Sequence, residues 1–184
     1  MEKLFGVWGL EVEIGPYLAG ELGDGFEEFG GSFIIKLVVE FGQDGSYKMY
    51  VDRDSFKENF DLWMDKFVEY SVEMFYKEFE AKGVGRKEAD AMIKEAFGGS
   101  MEEYLRDTMS YYLDYEGLLD GMQKSGNYSV EGNKIYWDGY NSYDLFTVTE
   151  DTLNIEAPAG MESEELLPGV TYPLVFTREG QQLN

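Results

Sequence analysis

The fold is decided by GVWGLEVEI, residues 6–14, in which apolar and polar side chains alternate along the chain. Trp8 and Ile14 bound the apolar face of this segment, and Glu11 and Glu13 lie on the other face. Alternation over this length predicts a half-buried β-strand. A tryptophan at the mouth of such a strand needs something to pack against, and the end of the chain offers a partner.

The last predicted strand is TYPLVFTRE, residues 171–179, which alternates in the same way. Leu174 and Phe176 share a face with Arg178, and an inward charge needs a partner or a route to water. In an up-and-down barrel the first and last strands are antiparallel neighbours, so the beginning of one lies beside the end of the other. We therefore predict that Arg178 stacks over Trp8 and closes one end of a β-barrel. The alternative is that Trp8 is ordinary core and Arg178 is solvated.

Six further segments alternate with a period of two, so the chain has eight predicted strands in all. The stretches between them are predicted to be turns or loops. The longest loops are 15–31, with a short helical turn around 17–22, and the acidic stretch 158–168. The six segments are 32–41, 47–51, 128–130, 135–137, 142–150 and 153–157.

Between the third and fourth strands the apolar period changes to about 3.6, which predicts three to four helices over residues 54–125. Ser55 with Glu58, and Ser100 with Glu103, match the capping box and are predicted to start two of these helices. If unbroken, the first helix has ~28 residues and a length of about 42 Å. It then either crosses the whole molecule or breaks near its middle.

The predicted fold class is α+β: an antiparallel eight-stranded β-barrel with a three-to-four-helix insertion after the third strand. Residues 1–53 and 126–184 form the barrel, and residues 54–125 form the insertion. We expect the insertion to pack on the barrel as part of one structural unit. A chain of 184 residues with 43% hydrophobic residues is large enough to bury such a core.

The residue types that are missing exclude several kinds of site. The chain has neither cysteine nor histidine, so it forms no disulfide, Cys/His zinc site, thiol nucleophile or Ser-His-Asp triad. Its net charge of -22 at pH 7 repels nucleic acid and anionic membranes. No apolar run approaches the roughly 20 residues of a membrane span. We therefore expect no catalytic residue, cofactor, metal, nucleic-acid partner or transmembrane segment.

One acidic loop invites a metal-binding interpretation. The stretch ELGDGFEE places Glu21, Asp24, Glu27 and Glu28 in a glycine-rich segment, and carboxylate oxygens are the ligands that Ca²⁺ prefers. The spacing does not match an EF-hand loop, so the expectation is a solvated loop.

Methionines and aromatics near the predicted barrel mouth are the candidates for lining a ligand cavity, since methionine adapts to irregular ligands. The structural alternative is that these side chains simply join the helices to the barrel. The main candidates are Met64, Met109, Trp137 and Tyr143, and the wider set includes Met74, Met92, Met122, Tyr136 and Tyr140.

The sequence of the barrel segments also resembles a known family. Gly6-Val7-Trp8 on the first strand, with Arg178 on the last, is similar to the Gly-x-Trp and closing arginine of lipocalins and other calycins. The phrases FGQDGSYKM, SGNYSVEGNKIYW, DTLNIE and PLVFTR resemble lipocalin-like domains of secreted proteins and lipoproteins of gut bacteria. The resemblance covers residues 4–53 and 126–179. The helical insertion over residues 54–125 is a departure from ordinary lipocalins, which lack it.

The resemblance implies a lipocalin-like barrel and a function as a non-enzymatic extracytoplasmic module that binds a small apolar ligand. It also implies a leader peptide that this sequence, beginning at MEKLFGVWG, does not contain. Two alternatives remain open. One is an envelope or surface interaction module with a filled barrel and no ligand. The other is a hydrolase that uses two carboxylates, although no spacing among the 37 acidic residues singles out a pair.

Overall fold

The computed structural model describes residues 3–22, 26, 28–138, 142–161, 165–167 and 169–180. Ten strands and five helices lie within these ranges. The strands are β1 (Gly6–Glu13), β2 (Ile34–Phe41), β3 (Ser46–Val51), β4 (Lys124–Glu131), β5 (Lys134–Trp137), β6 (Tyr143–Val148), β7 (Thr152–Glu156), β8 (Glu165–Leu167), β9 (Val170–Thr171) and β10 (Leu174–Arg178). The helices are α1 (Gly15–Glu21), α2 (Arg53–Ala81), α3 (Arg86–Phe97), α4 (Met101–Tyr112) and α5 (Tyr115–Gly121).

Eight of the strands form a closed antiparallel barrel in the order β1-β10-β7-β6-β5-β4-β3-β2. The predicted fold class is confirmed, because the barrel closes between the first and last strands and α2–α5 follow the third strand. The prediction of a plain loop over 158–168 was wrong, since β8 and β9 pair there as a separate two-stranded sheet. These strands have three and two residues, too few to show an alternating pattern in sequence.

The barrel closes through a stacked pair of side chains. Trp8 and Arg178 are direct partners across β1 and β10, and the guanidinium carbon lies 4.1 Å from the centre of the tryptophan ring system. Trp8 is fully buried, and its indole N–H donates to the carbonyl oxygen of Leu4 at 2.8 Å. The stacking predicted from the sequence is therefore present, and the segment before β1 folds over it.

Arg178 also ties together the backbone at this end of the barrel. Its Nη1 and Nη2 donate to the carbonyl oxygens of Phe5 at 2.9 Å and Lys3 at 2.5 Å. Its Nε donates to the carbonyl oxygen of Glu150 at 2.5 Å, in the turn between β6 and β7. One side chain thus satisfies three backbone acceptors from the chain's beginning and from a hairpin more than a hundred residues later.

The glycines on either side of Trp8 lie close to side chains that surround the barrel closure. Gly6 has φ +125°, and a Cβ there would lie 2.9 Å from Nη1 of Arg178. A Cβ on Gly9 would lie 2.0 Å from a carboxylate oxygen of Glu179, which forms an ion pair with Lys36 at 3.0 Å. A side chain at position 6 would be strained by the backbone conformation and would displace the Arg178 guanidinium, whereas one at position 9 would displace the end of the Glu179 side chain.

The helix N-termini confirm one capping prediction and correct the other. Ser100 and Glu103 form the predicted capping box, with the Glu103 amide donating to the Ser100 hydroxyl at 3.1 Å and the Ser100 amide donating to the Glu103 carboxylate at 2.8 Å. The box predicted for Ser55 and Glu58 was wrong. Asp52 caps α2 instead and accepts from the Ser55 amide at 2.8 Å, which places Ser55 inside the helix. Aspartate is as good an N-cap as serine, so Asp52, three residues before Ser55, can start the helix.

Helix α2 is unbroken over 29 residues and presents a wide apolar face to the barrel. Phe33, just before β2, contacts Phe56 with ring centres 5.1 Å apart, and Trp63 stacks on Phe67 at 5.2 Å. The barrel interior and the helices share one hydrophobic core. None of the helices in the described ranges is both long and apolar enough to cross a membrane.

The two ends of the barrel differ in what they carry. The turns β2–β3, β4–β5 and β6–β7 are short and lie at the Trp8 end, because antiparallel order places every second connection at the same end. The connections that contain α1 and α2–α5 leave from the opposite end. The helices of the described chain therefore gather at the end that Trp8 does not seal.

We expect Trp8→Ala to lower the free energy of unfolding by about 3–5 kcal/mol, because it empties a fully buried indole site and removes the surface on which Arg178 stacks. Urea denaturation followed by circular dichroism measures the change. Val175→Ala, on the exposed face of β10, is the control and should cost less than about 0.5 kcal/mol. A similarly small loss for Trp8→Ala would show that the indole is peripheral to stability.

Candidate functional site

Aromatic side chains fill the barrel between β2, β3, β4 and β5. Trp137, one of the candidate ligand-lining residues, is buried and lies 4.8 Å from Tyr47 and 5.8 Å from Phe41, measured between ring centres. Phe41 also meets Tyr128 edge to face at 4.9 Å. The indole of Trp137 is thus part of the packed barrel interior on this side.

Asp144 is a buried carboxylate inside the barrel. One of its oxygens accepts a hydrogen bond from the indole N–H of Trp137 at 2.6 Å, and the other accepts from the hydroxyl of Tyr172 at 3.0 Å. A buried carboxylate is costly unless it is hydrogen-bonded, so these donors compensate for its burial and fix the orientation of Trp137. Sequence reasoning did not single out Asp144, although it shares the alternating face of Phe146 and Val148.

Tyr143, another candidate, lies on the outer face of the barrel. Its register partner is Tyr136, with ring centres 5.7 Å apart, and the ammonium of Lys134 lies 4.1 Å from its ring centre. Trp137 is next to Tyr136 along β5 and points to the opposite face. The structure therefore does not bring Tyr143 and Trp137 together.

A groove of about 500 Å³ lies between α1, α4 and α5. It contains Met109 of the candidate set, whereas Met64 is buried on α2 and is not among the lining residues. Most of the lining is apolar, and the lining residues with polar side-chain groups are Glu21, Tyr17 and Tyr112. The lining residues are Tyr17, Leu18, Glu21, Leu22, Met109, Tyr112, Leu113 and Leu118.

The wider methionine set does not line this groove either. Met122 is fully buried, Met92 is 49% exposed on α3, and Met74 is partly buried on α2. Tyr140 lies outside the described residues. The groove was not predicted, because its walls come from segments about 90 residues apart in sequence.

Helix α1, one wall of the groove, is anchored by Glu13 at the end of β1. One carboxylate oxygen accepts from the backbone amides of Gly15 at 2.8 Å and Phe33 at 2.7 Å, and the other accepts from the hydroxyl of Ser32. Burial acts to raise the pKa of Glu13, but these three hydrogen bonds outweigh it and hold the pKa below its ordinary value. Glu13 thus ties the start of α1 to the start of β2.

Two further contacts fix the walls. The Tyr17 ring of α1 lies against Gly169, where a Cβ would be 2.9 Å from the ring and the backbone φ is +74°. Tyr115 at the start of α5 packs on Phe56 and Phe60 of α2, with ring centres 5.4 and 5.6 Å apart. The β8–β9 turn therefore supports one wall, and α2 supports the other.

The acidic loop shows no metal site in the described part of the chain. Glu21 lines the groove and Glu28 is exposed, while Asp24 and Glu27 lie outside the described residues. Among the described residues no three carboxylates are placed to hold one metal ion.

We expect Glu13→Gln to lower the free energy of unfolding at pH 7. Because the folded-state pKa of Glu13 is lowered, its contribution is present above the ordinary glutamate pKa and is lost as the pH falls through the folded-state value. The gap between wild type and Glu13→Gln should therefore shrink on acidification, as measured by urea denaturation over a pH series. Glu11→Gln is the matched control, since Glu11 is exposed on the same strand and has no hydrogen bond among the described residues. The same pH dependence in both variants would contradict the anchoring role.

Comparisons of the chain with models of protein families, with curated proteins and with solved structures found no match. The eight-stranded antiparallel barrel with its helices is compatible with a lipocalin-like fold.

Proposed function

We propose that this protein is a non-enzymatic binding module that holds a small apolar molecule in the groove between α1, α4 and α5. The groove itself carries the proposal, because its volume of about 500 Å³ lies within the range of small-molecule sites, roughly 300–1,000 Å³. Such sites are mainly apolar with a few polar atoms that orient the ligand. The lining of this groove has that composition.

The polar atoms indicate which kind of ligand fits. Glu21 is the acidic residue among the lining residues, and Tyr112 is an exposed tyrosine beside an apolar surface of leucines and Met109. A carboxylate accepts hydrogen bonds and attracts positive charge. We therefore propose a ligand with an apolar body and a polar end that donates hydrogen bonds or is cationic.

In this proposal the barrel is the scaffold rather than the container. The rings packed around Trp137 and the side chain of Asp144 occupy interior volume that a hollow barrel would leave for a ligand. The groove is formed instead by α1, α4 and α5, which belong to the connections at the barrel end opposite Trp8. This differs from the pocket that the family resemblance implies, and the helical insertion explains the difference because it supplies two of the three walls.

We also propose that the protein is a lipocalin-like domain that acts outside the cytoplasm of a bacterium. The support is the resemblance of the barrel segments, in particular Gly6, Trp8 and Arg178. These three residues lie close together where the first and last barrel strands pair. Fractionation of the source bacterium, with antibodies against the protein, should find it with the envelope or the medium. Recovery together with a cytoplasmic marker enzyme would contradict this location.

The binding proposal is tested with Nile red, an uncharged apolar dye whose fluorescence rises on transfer from water. An uncharged probe is needed because the net charge of -22 repels anionic dyes. We expect saturable binding by the wild type and at least about tenfold weaker binding by Met109→Trp, because the larger side chain fills the groove. Met92→Trp is the matched control on exposed α3 and should bind as the wild type does.

Leu118→Trp on α5 provides a second filling variant if Met109→Trp does not fold, as judged by circular dichroism. Equal binding of the dye by wild type, Leu118→Trp and Met92→Trp would contradict the groove as the site. Native mass spectrometry of protein purified from its own host then identifies any retained ligand by mass.

A further inference from the structure

Helices α3 and α4 carry four aromatic side chains that line one groove, three of them exposed and one, Tyr104, partly buried. Phe97 is 56% exposed, Tyr111 83% and Tyr112 69%, and Tyr104 stacks on Phe97 with ring centres 4.0 Å apart. Tyr111 and Tyr112 meet edge to face at 5.5 Å. We call Phe97, Tyr104, Tyr111 and Tyr112 the α3–α4 aromatic face. Contiguous exposed apolar surface of this kind marks interaction sites in soluble proteins.

The aromatic face lines a groove of about 840 Å³ whose other walls are acidic. Glu102, Glu103 and Asp107 contribute carboxylates, and Arg106 is the basic residue among the lining side chains. Arg106 is already neutralised by Asp65 at 2.8 Å and by Glu102 at 3.7 Å. Asp107 has no ion pair within the described ranges. The groove therefore combines exposed rings with uncompensated negative charge.

Such a combination favours a cationic partner. The faces of aromatic rings attract cations, and the attraction adds to that of nearby carboxylates. Elsewhere the chain supplies its own cations to rings, with Arg86 over Tyr76 at 4.8 Å and Lys134 over Tyr143. Across the part of the chain that the structure describes, no lysine or arginine lies over Tyr111 or Tyr112. The ring faces that the contact between Tyr111 and Tyr112 leaves uncovered are accessible to a cation from another molecule.

We propose that the α3–α4 aromatic face binds a basic segment of a partner protein, one that carries both lysine or arginine and large apolar side chains. The apolar side chains would cover the rings, and the basic ones would meet Asp107 and its neighbours, as in helix-in-groove recognition. The net charge of -22 argues for this occupant over a second copy of the chain or an anionic membrane, since both would be repelled. The proposal stands independently of the apolar-ligand groove.

The test uses a synthetic amphipathic peptide of lysine and leucine, with binding measured by isothermal titration calorimetry. Tyr111→Ala removes the most exposed ring, and Asp107→Lys reverses a charge in the groove. Each should weaken binding about tenfold or more. Leu62→Ala and Glu58→Lys are the matched controls. They make the same kinds of change at exposed positions of α2 that lie outside the groove. They should change the affinity less than about threefold. All four positions are exposed, so the variants are expected to fold.

The matched pairs separate this site from general attraction to an acidic protein. Equal weakening by Asp107→Lys and Glu58→Lys, with no effect of Tyr111→Ala, would mean nonspecific charge attraction and would overturn the proposal. Self-association in sedimentation that Tyr111→Ala abolishes would assign the face to a second copy instead. Binding to vesicles of phosphatidylglycerol that depends on Tyr111 would assign it to a membrane. Tighter binding of a glutamate–leucine peptide than of the lysine–leucine peptide would contradict the charge argument.

Discussion

The stack of Arg178 on Trp8 is the contact on which the rest of the structure depends. It joins the first and last barrel strands, and the same guanidinium binds three backbone carbonyls from the chain's beginning and from the β6–β7 turn. A guanidinium is suited to this because its planar face stacks while its N–H groups donate in the plane. Gly6 leaves the space that this arrangement needs. Because β1 pairs with β10, the sheet closes on itself and has no free edge strand.

The closure at Trp8 is at one end of the barrel, and the helices that form the candidate grooves lie at the other end. The Trp8 end carries short turns, so the long connections and their helices gather at the other end. Aromatic side chains from β2 to β5 pack together inside the barrel, and Asp144 holds Trp137 among them. The two candidate grooves are formed by helices at that end, one between α1, α4 and α5 and one along α3 and α4. The hydrogen bonds of Glu13 and the contact of Tyr17 with Gly169 hold α1 in place as one wall of the first groove.

The sequence was informative where a pattern repeats over several residues. Alternation predicted the barrel strands, and the inward Arg178 predicted closure on Trp8, because both follow from the side-chain period of a strand. The cap at Asp52 was missed because Ser55 offered an equally good local match, and only the backbone decides between them. The short strands β8 and β9 were too brief to show a period. The groove escaped prediction because it depends on how distant helices pack.

Helix α4 places the two candidate surfaces side by side, and helical geometry explains how. Tyr104 and Tyr111 are seven residues apart, so they lie on one face of the helix, toward α3. Met109 and Leu113 are four apart on the adjacent face, toward α1 and α5. Tyr112 lies at the border and lines both grooves. The two grooves therefore share one wall, because the same tyrosine side chain separates them.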